Sequence, residues 1–333
     1  MKLPALARIR MLLQRRHWAV CAAFALLAVA LVSPSVQWPR TTFSYMVTFD
    51  ITQSMDTEDL TVSGAPMSRL AYAKAAMRET LAQLPCGSRI GWSIFAGQST
   101  LPLMPPLEVC ANFDALLASL DGIDGRMRWA NWSRIAEGGV YSAIRVARDL
   151  GHGTAVVFIT DGQEAPPILP GNGPAVKIAL PGIGGWLIGV GGDAPAPIPK
   201  TDERGNRIGY WLASEVVQIP PAVRGPGAGA SHEERSELRG RYLADVAGRI
   251  GFGYRRLSSP VALAAALRDA RWARHERAPE SVRWIAALAA LVLLVWRYAR
   301  LRDLRAAAAS ASRAMRRWIL ESWVVSDRRG ERS

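Results

Sequence analysis

Residues 43–55, FSYMVTFDITQSM, constrain this chain more than any other stretch. Residues 43–49 read as a short apolar strand that runs directly into Asp50, Thr52 and Ser54. A buried strand ending in D-x-T-x-S puts three oxygen donors on one tight loop at the carboxyl edge of a sheet, where open α/β sheets bind ligands. Donors that are all oxygen select a hard divalent cation, Mg2+ or Ca2+, over zinc or copper. A local alternative exists: Thr52, Ser54 or Asp56 caps the helix that follows, because all three residue types are good caps.

The rest of the middle region alternates between strand and helix patterns. Residues 68–84 have apolar positions at helical spacing, a capping Ser68 and a terminating Pro85. Residues 89–95 and 99–103 read as a hairpin turning at Gly97, followed by a short helix over 112–120. A Gly- and Trp-containing loop, 121–132, enters a helix expected over 133–150. Residues 154–160, TAVVFIT, are an uninterrupted β-branched and aromatic run, as in a parallel strand buried on both faces, and end at Asp161. Residues 185–190 read as another short apolar strand, 236–250 and 260–273 as helices, and 251–257 as an edge strand. Between them, 193–235 is rich in Pro and Gly and reads as an insertion, with a small hairpin expected between 207–211 and 216–219. Strands alternating with helices predict an α/β fold with a doubly wound, mostly parallel sheet.

In such a sheet the first strand and the 154–160 strand end on the same edge. Asp50, Thr52, Ser54, Ser133 and Asp161 then converge as two carboxylates and three hydroxyls, with no His or Cys among them. This combination resembles the von Willebrand factor A domain and its metal-ion-dependent adhesion site. Asp50, Thr52 and Ser54 match the first element of that site, and the FITDG of residues 158–162 matches the third. Ser133 stands where the family carries a Thr, ahead of Ile135 and Gly138. Residues 242–257, YLADVAGRIGFGYRRL, are similar to the family's closing helix and strand, and the resemblance covers about residues 43–273. It implies a bound Mg2+ or Ca2+ whose open coordination position is filled by an acidic residue of a protein partner. Arg128, Trp129 and Trp132, with Arg126, would rim that position, or else pack within their loop.

Catalysis is not expected. A D-x-D phosphatase needs a carboxylate where Thr52 stands, and the chain has no P-loop, G-x-S-x-G or H-E-x-x-H motif. The four His residues do not cluster in the sequence, and His152 reads as structural.

Charge and hydropathy set the expected location. The chain has 333 residues and a net charge of +13, but 38–281 hold 25 basic and 24 acidic groups. The excess lies at the two ends, beside the long apolar runs. Trp18 to Val32 follows Arg8, Arg10, Arg15 and Arg16, and Trp284 to Trp296 precedes Arg297, Arg300, Arg302 and Arg305. The expected organisation is a basic cytoplasmic start (1–17), a transmembrane helix (18–37), a periplasmic domain (43–275), a second transmembrane helix (280–299) and a basic cytoplasmic tail (300–333). The alternatives are a cleaved signal peptide for the first run and a buried helix for the second. Cys86 and Cys110 flank the hairpin in the exported region and are expected to form a disulfide, the alternative being two unrelated thiols. The tail carries an apolar patch, Trp318 to Val324, that suits a membrane face or a frayed, solvated end.

The two anchors, WANWSRIAEG, FITDGQEAPP and IPKTDERGNRIGYW also resemble the A-domain proteins encoded with bacterial methanol oxidation genes. That resemblance implies a role in assembly or metal insertion of a periplasmic, quinone-dependent methanol dehydrogenase. A competing expectation is a membrane partner of a MoxR-type AAA+ chaperone, docked through the basic tail.

Overall fold

The computed structural model describes residues 18–32, 36–62, 64–151, 153–169, 182–202, 204–224, 227, 229–280 and 282–298. It divides into a larger unit, Pro39–Ala278, and a smaller one made of Met1–Trp38 and Pro279–Ser333.

Six strands form the central sheet of the larger unit: β1 (Ser44–Asp50), β2 (Arg89–Ala96), β3 (Ser99–Glu108), β4 (Ala155–Thr160), β5 (Gly185–Gly189) and β6 (Gly253–Arg256). Their spatial order is β6-β5-β4-β1-β2-β3, parallel throughout except for the β2–β3 hairpin. Every residue of β1, β4 and β5 is buried, so these strands are mostly apolar on both faces rather than alternating between apolar and polar. Side-chain alternation along β1 and β4 sends successive residues to opposite faces. Tyr45, Val47, Phe49 and Val157 face α1 (Arg69–Leu81), α2 (Phe113–Asp121) and α5 (Pro260–Leu267). Val156, Phe158 and Leu187 face α3 (Tyr141–Leu150) and α4 (Gly240–Ile250). Helices on both faces make the sheet doubly wound and fix β1 and β4 as its adjacent central strands.

Local signals place the helix ends. Ser68 caps α1 by accepting from Ala71 N, and Ser259 caps α5 by accepting from Ala262 N, with Pro260 in the first turn. The hairpin turns at Gly97, whose φ of +63° lies in the left-handed region. Cys86 and Cys110, which precede and follow it, form a disulfide with Cα atoms 5.3 Å apart.

Several expectations need correction. The helix expected over 133–150 does not start at Ser133. That residue is bridged in extended form to Gly97 and Ala165, and the chain then passes through a π-helical turn, Ile135–Val140, into α3. Helix α4 starts at Gly240 because Arg235–Ser236 pairs with Ala196–Pro197 instead. In the insertion, Arg207–Tyr210 pairs with Pro199–Thr201 rather than with 216–219. Asp202 closes that turn by accepting from the backbone N–H groups of Arg204 and Asn206. The final helix stops at Leu267, and Arg274–Glu280 forms a strand paired with Val36–Thr42, so that residues 36 and 37 belong to a strand and not to the expected helix over 18–37.

The smaller unit contains helices Trp18–Val32 and Arg283–Tyr298, with the Trp18 and Trp296 rings edge-on at 5.9 Å. The expected transmembrane helix over 18–37 is strand from Val36 on, and the one over 280–299 begins at Arg283, after a strand that reaches Glu280. At about 1.5 Å per residue, the 15 and 16 helical residues described extend over less than the roughly 30 Å hydrocarbon core. Among the described residues, no helix is long and apolar enough to cross a membrane. Residues 1–17 and the tail, 300–333, lie outside the described residues.

Candidate metal centre

The site begins where β1 stops. Parallel pairing sets Phe49 opposite Ile159, so Asp50 arrives beside Thr160 at the carboxyl edge. Thr160 Oγ1 donates to Asp50 Oδ2 at 2.6 Å. Asp50 Oδ1 accepts from Thr52 N at 2.9 Å and from Thr52 Oγ1 at 2.7 Å, closing an Asx turn that bends the chain into a 3-10 turn over Gln53–Asp56. Thr52 makes no side-chain cap to that turn; its hydroxyl lies 3.2 Å from Ser54 Oγ and serves Asp50. Thus the first three expected residues form one hydrogen-bonded cluster.

Ser133 comes from the loop beyond Gly97. Its N–H donates to Ala165 O at 2.8 Å, and its hydroxyl donates to Gln163 O at 2.8 Å. These bonds tie the Ser133 loop to the segment after Asp161. Glu164 locks the same junction from below: its carboxylate accepts from Ile135 N, Ala136 N and Tyr242 Oη. Burial raises the Glu164 carboxyl above its ordinary range, and those three donors pull it back.

Asp161 is wholly buried and differently partnered. Its Oδ1 accepts from Gln163 N at 2.9 Å, and its Oδ2 accepts from Arg69 Nη1 at 2.5 Å and from Ser236 Oγ at 3.1 Å. Arg69 also holds Asp59, through Nε and Nη2, and Ser236 O, through Nη2. Burial opposes the Arg69 charge, but Asp161 and Asp59 outweigh it and raise its pKa.

Electrostatics separate the two carboxylates. Burial, then the negative charge of Asp161, push Asp50 up to about 7, while hydrogen bonds from Thr160 and Thr52 pull it down. All partners of Asp50 are neutral, whereas Asp161 faces a guanidinium.

Above Thr52, Ser54 and Ser133 lies a cavity of about 210 Å3, walled by Trp132, Pro166 and Trp211. Trp211 belongs to the insertion and is held to the first loop through Gln53 Oε1. Arg128 turns away from this opening: it reaches Ile51 O at 2.6 Å, Asp56 at 2.6 Å and Thr201 Oγ1 at 3.2 Å. Trp129 and Trp132 are 47% and 43% exposed. The expected rim therefore divides into a loop clamp, Arg128, and two exposed rings.

The donor set fits a hard divalent ion. Asp50 is a buried carboxylate with no cationic partner, and the Thr52 and Ser54 hydroxyls beside it line the cavity. Among the described residues there is no group of three or more His, Cys, Asp or Glu placed to hold a metal. The sequence reading missed Thr160, Arg69, Ser236 and Glu164. For Arg69 a signal exists: a cation at the first position of a helix opposes the helix dipole and needs an anion nearby.

No family model matches the chain, and no curated protein matches it. Among solved structures, it is similar to an aerotolerance-related membrane protein from Bacteroides fragilis at 21% identity. That match covers 67% of this chain and 95% of the other, with a TM-score of 0.46. It is also similar to BatB from Bacteroides thetaiotaomicron, at 21% identity over 67% and 94%, TM-score 0.44. A von Willebrand factor type A protein from Catenulispora acidiphila matches at 10% identity over 78% and 51%, TM-score 0.38.

Proposed function

We propose that this chain is a membrane-anchored binding module of the von Willebrand factor A type that captures a protein partner through a divalent cation. The single observation that carries this reading is the Asp50 cluster: a buried carboxylate at a parallel sheet edge, paired only with neutral donors and joined by two hydroxyls below an open cavity. Asp50, Thr52 and Ser54 would hold Mg2+ or Ca2+, with Ser133 and Asp161 on the neighbouring loops at its edge. The ion supplies a positive centre for an acidic side chain of the partner. Trp132 and Trp211 offer apolar walls beside that anchor, and Trp129 lies outside them on the same rim. This is a binding role with no catalytic step.

The anchor and orientation belong to the same proposal. Large apolar side chains on Trp18–Val32 and Arg283–Tyr298 point outward, and the Arg clusters beyond both runs favour cytoplasmic termini. The Cys86–Cys110 disulfide suits a periplasmic domain. Resemblance alone supports the narrower client, a quinone-dependent methanol dehydrogenase. The competing MoxR-type chaperone reading depends on the basic tail, so deleting residues 300–333 separates the two.

The test is capture from membranes by the tagged full chain, with Mg2+ or Ca2+ and again with chelator. We expect partner recovery to need the ion and to vanish in Asp50→Ala. Equal recovery under chelation would remove the metal from the reading.

A further inference from the structure

Asp50 and Asp161 lie at one sheet edge, yet only Asp161 has a cationic partner. Both oxygens of Asp161 are in use: Oδ1 by Gln163 N, and Oδ2 by Arg69 and Ser236. Arg69 is fully buried, so water cannot replace any partner it gives up. Each of its three nitrogens is already bonded: Nε to Asp59, Nη2 to Asp59 and Ser236 O, and Nη1 to Asp161 and Ser236 Oγ. Releasing Asp161 to a metal would leave a buried guanidinium partly unpaired, which is costly.

The backbone is shaped to seat that guanidinium. Gly191 has φ +139°, and a Cβ there would lie 2.9 Å from Arg69 Nε. Asp50, by contrast, receives only a backbone N–H and two hydroxyls. A hydroxyl rotates its proton aside and offers a lone pair when a cation arrives; a guanidinium has no lone pair to offer. The four charges also balance: Asp50, Asp59 and Asp161 against Arg69 leave two negative charges, which one divalent ion neutralises.

We infer that Arg69 is a resident cation of the site: it keeps Asp161 as its counter-ion, and a divalent ion binds directly to Asp50, Thr52 and Ser54 while Asp161 acts on it only through space. Asp161 is then a positioning carboxylate that fixes the loop leading to Gln163 and Ser133. Arg69 holds the ion's affinity below what two free carboxylates would give, which keeps the ion exchangeable. This inference rests on the metal-binding reading above.

Calorimetric titration of the full chain with MgCl2 and CaCl2 tests it, with a thermal melt on each variant. We expect Asp50→Asn to abolish binding and Asp161→Asn to weaken it by no more than about tenfold. Arg69→Gln, which removes a nearby like charge, should tighten binding by about tenfold or more. Two results would overturn the inference: a folded Asp161→Asn variant that loses binding as completely as Asp50→Asn, or a folded Arg69→Gln variant with unchanged or weaker affinity. Should Arg69→Gln fail to melt cooperatively, Asp161→Asn decides alone, because Arg69 keeps Asp59 and Ser236 there. A wild-type chain that binds neither ion would overturn the metal reading and this inference with it, a result distinct from any difference among variants.

Discussion

A carboxylate buried among neutral donors is slow to give up its proton. Asp50 is pushed up to about 7, first by burial and then by Asp161; an Asp in an unfolded chain titrates near ~3.9. Between those values the folded state holds a proton that the unfolded state has released. Stability from this group is therefore greatest below pH ~4, falls as pH rises toward about 7, and is level above that. With chelator present, urea unfolding of wild type against Asp50→Asn should show wild type losing roughly 4 kcal/mol relative to the variant across that window. Divalent cation should restore the loss at pH 8, and a pH-independent difference would refute the assignment. Asp50, Thr52 and Ser54 were legible in the sequence because they sit on alternate positions directly after an apolar run. The pairing of Arg69 with Asp161 was not, because the two lie 92 residues apart and only the pairing of β1 with β4 brings them close; the helix-end position of Arg69 signalled a need for an anion without saying which.

At the scale of elements, the β2–β3 hairpin connects the disulfide to the site. Its turn residue Gly97 exchanges backbone hydrogen bonds with the Ser133 loop, Gly97 N to Trp132 O and Arg134 N to Gly97 O. Cys86 and Cys110 lie at the opposite end of the hairpin, before Arg89 and after Glu108. The crosslink therefore restrains the chain without touching the Asp50 and Ser133 loops. Replacing both cysteines with Ser frees a 24-residue separation and should cost about 2–4 kcal/mol in denaturant unfolding. Cation affinity of the folded variant should stay within about threefold, and a larger loss would mean that the hairpin end sets the site. Apolar runs made the hairpin and central strands readable. Three elements lacked such a signal: the π-helical turn, the polar strand Arg274–Glu280, and the insertion's pairing, which depends on the Asp202 turn.

Over the whole molecule, charge and apolar surface are segregated in a way that a water-soluble fold does not need. In Trp18–Val32 the buried residues are Ala19, Ala23 and Ala30, while Leu31 and Val32 are 80% and 82% exposed. In Arg283–Tyr298, Ala290 is buried while Leu288, Leu291, Val292 and Val295 are exposed. Small residues inside and large apolar ones outside is the arrangement helices adopt in lipid, where close backbone approach replaces hydrophobic burial as the driving force. In water such a surface is a liability. The segregation of basic residues beyond both apolar runs was plain in the sequence; the exact helix ends were not, since hydropathy continues into residues that pair as a strand. The full chain should therefore sediment with membranes and resist alkaline carbonate extraction. A Phe24→Asp, Leu288→Asp, Leu291→Asp triple variant places carboxylates on both outward faces, where contact with lipid would make each one costly. It should move to the carbonate-soluble fraction while the Pro39–Ala278 unit keeps its disulfide. Wild-type chain released by carbonate alone would leave the outward apolar faces to contact protein rather than lipid.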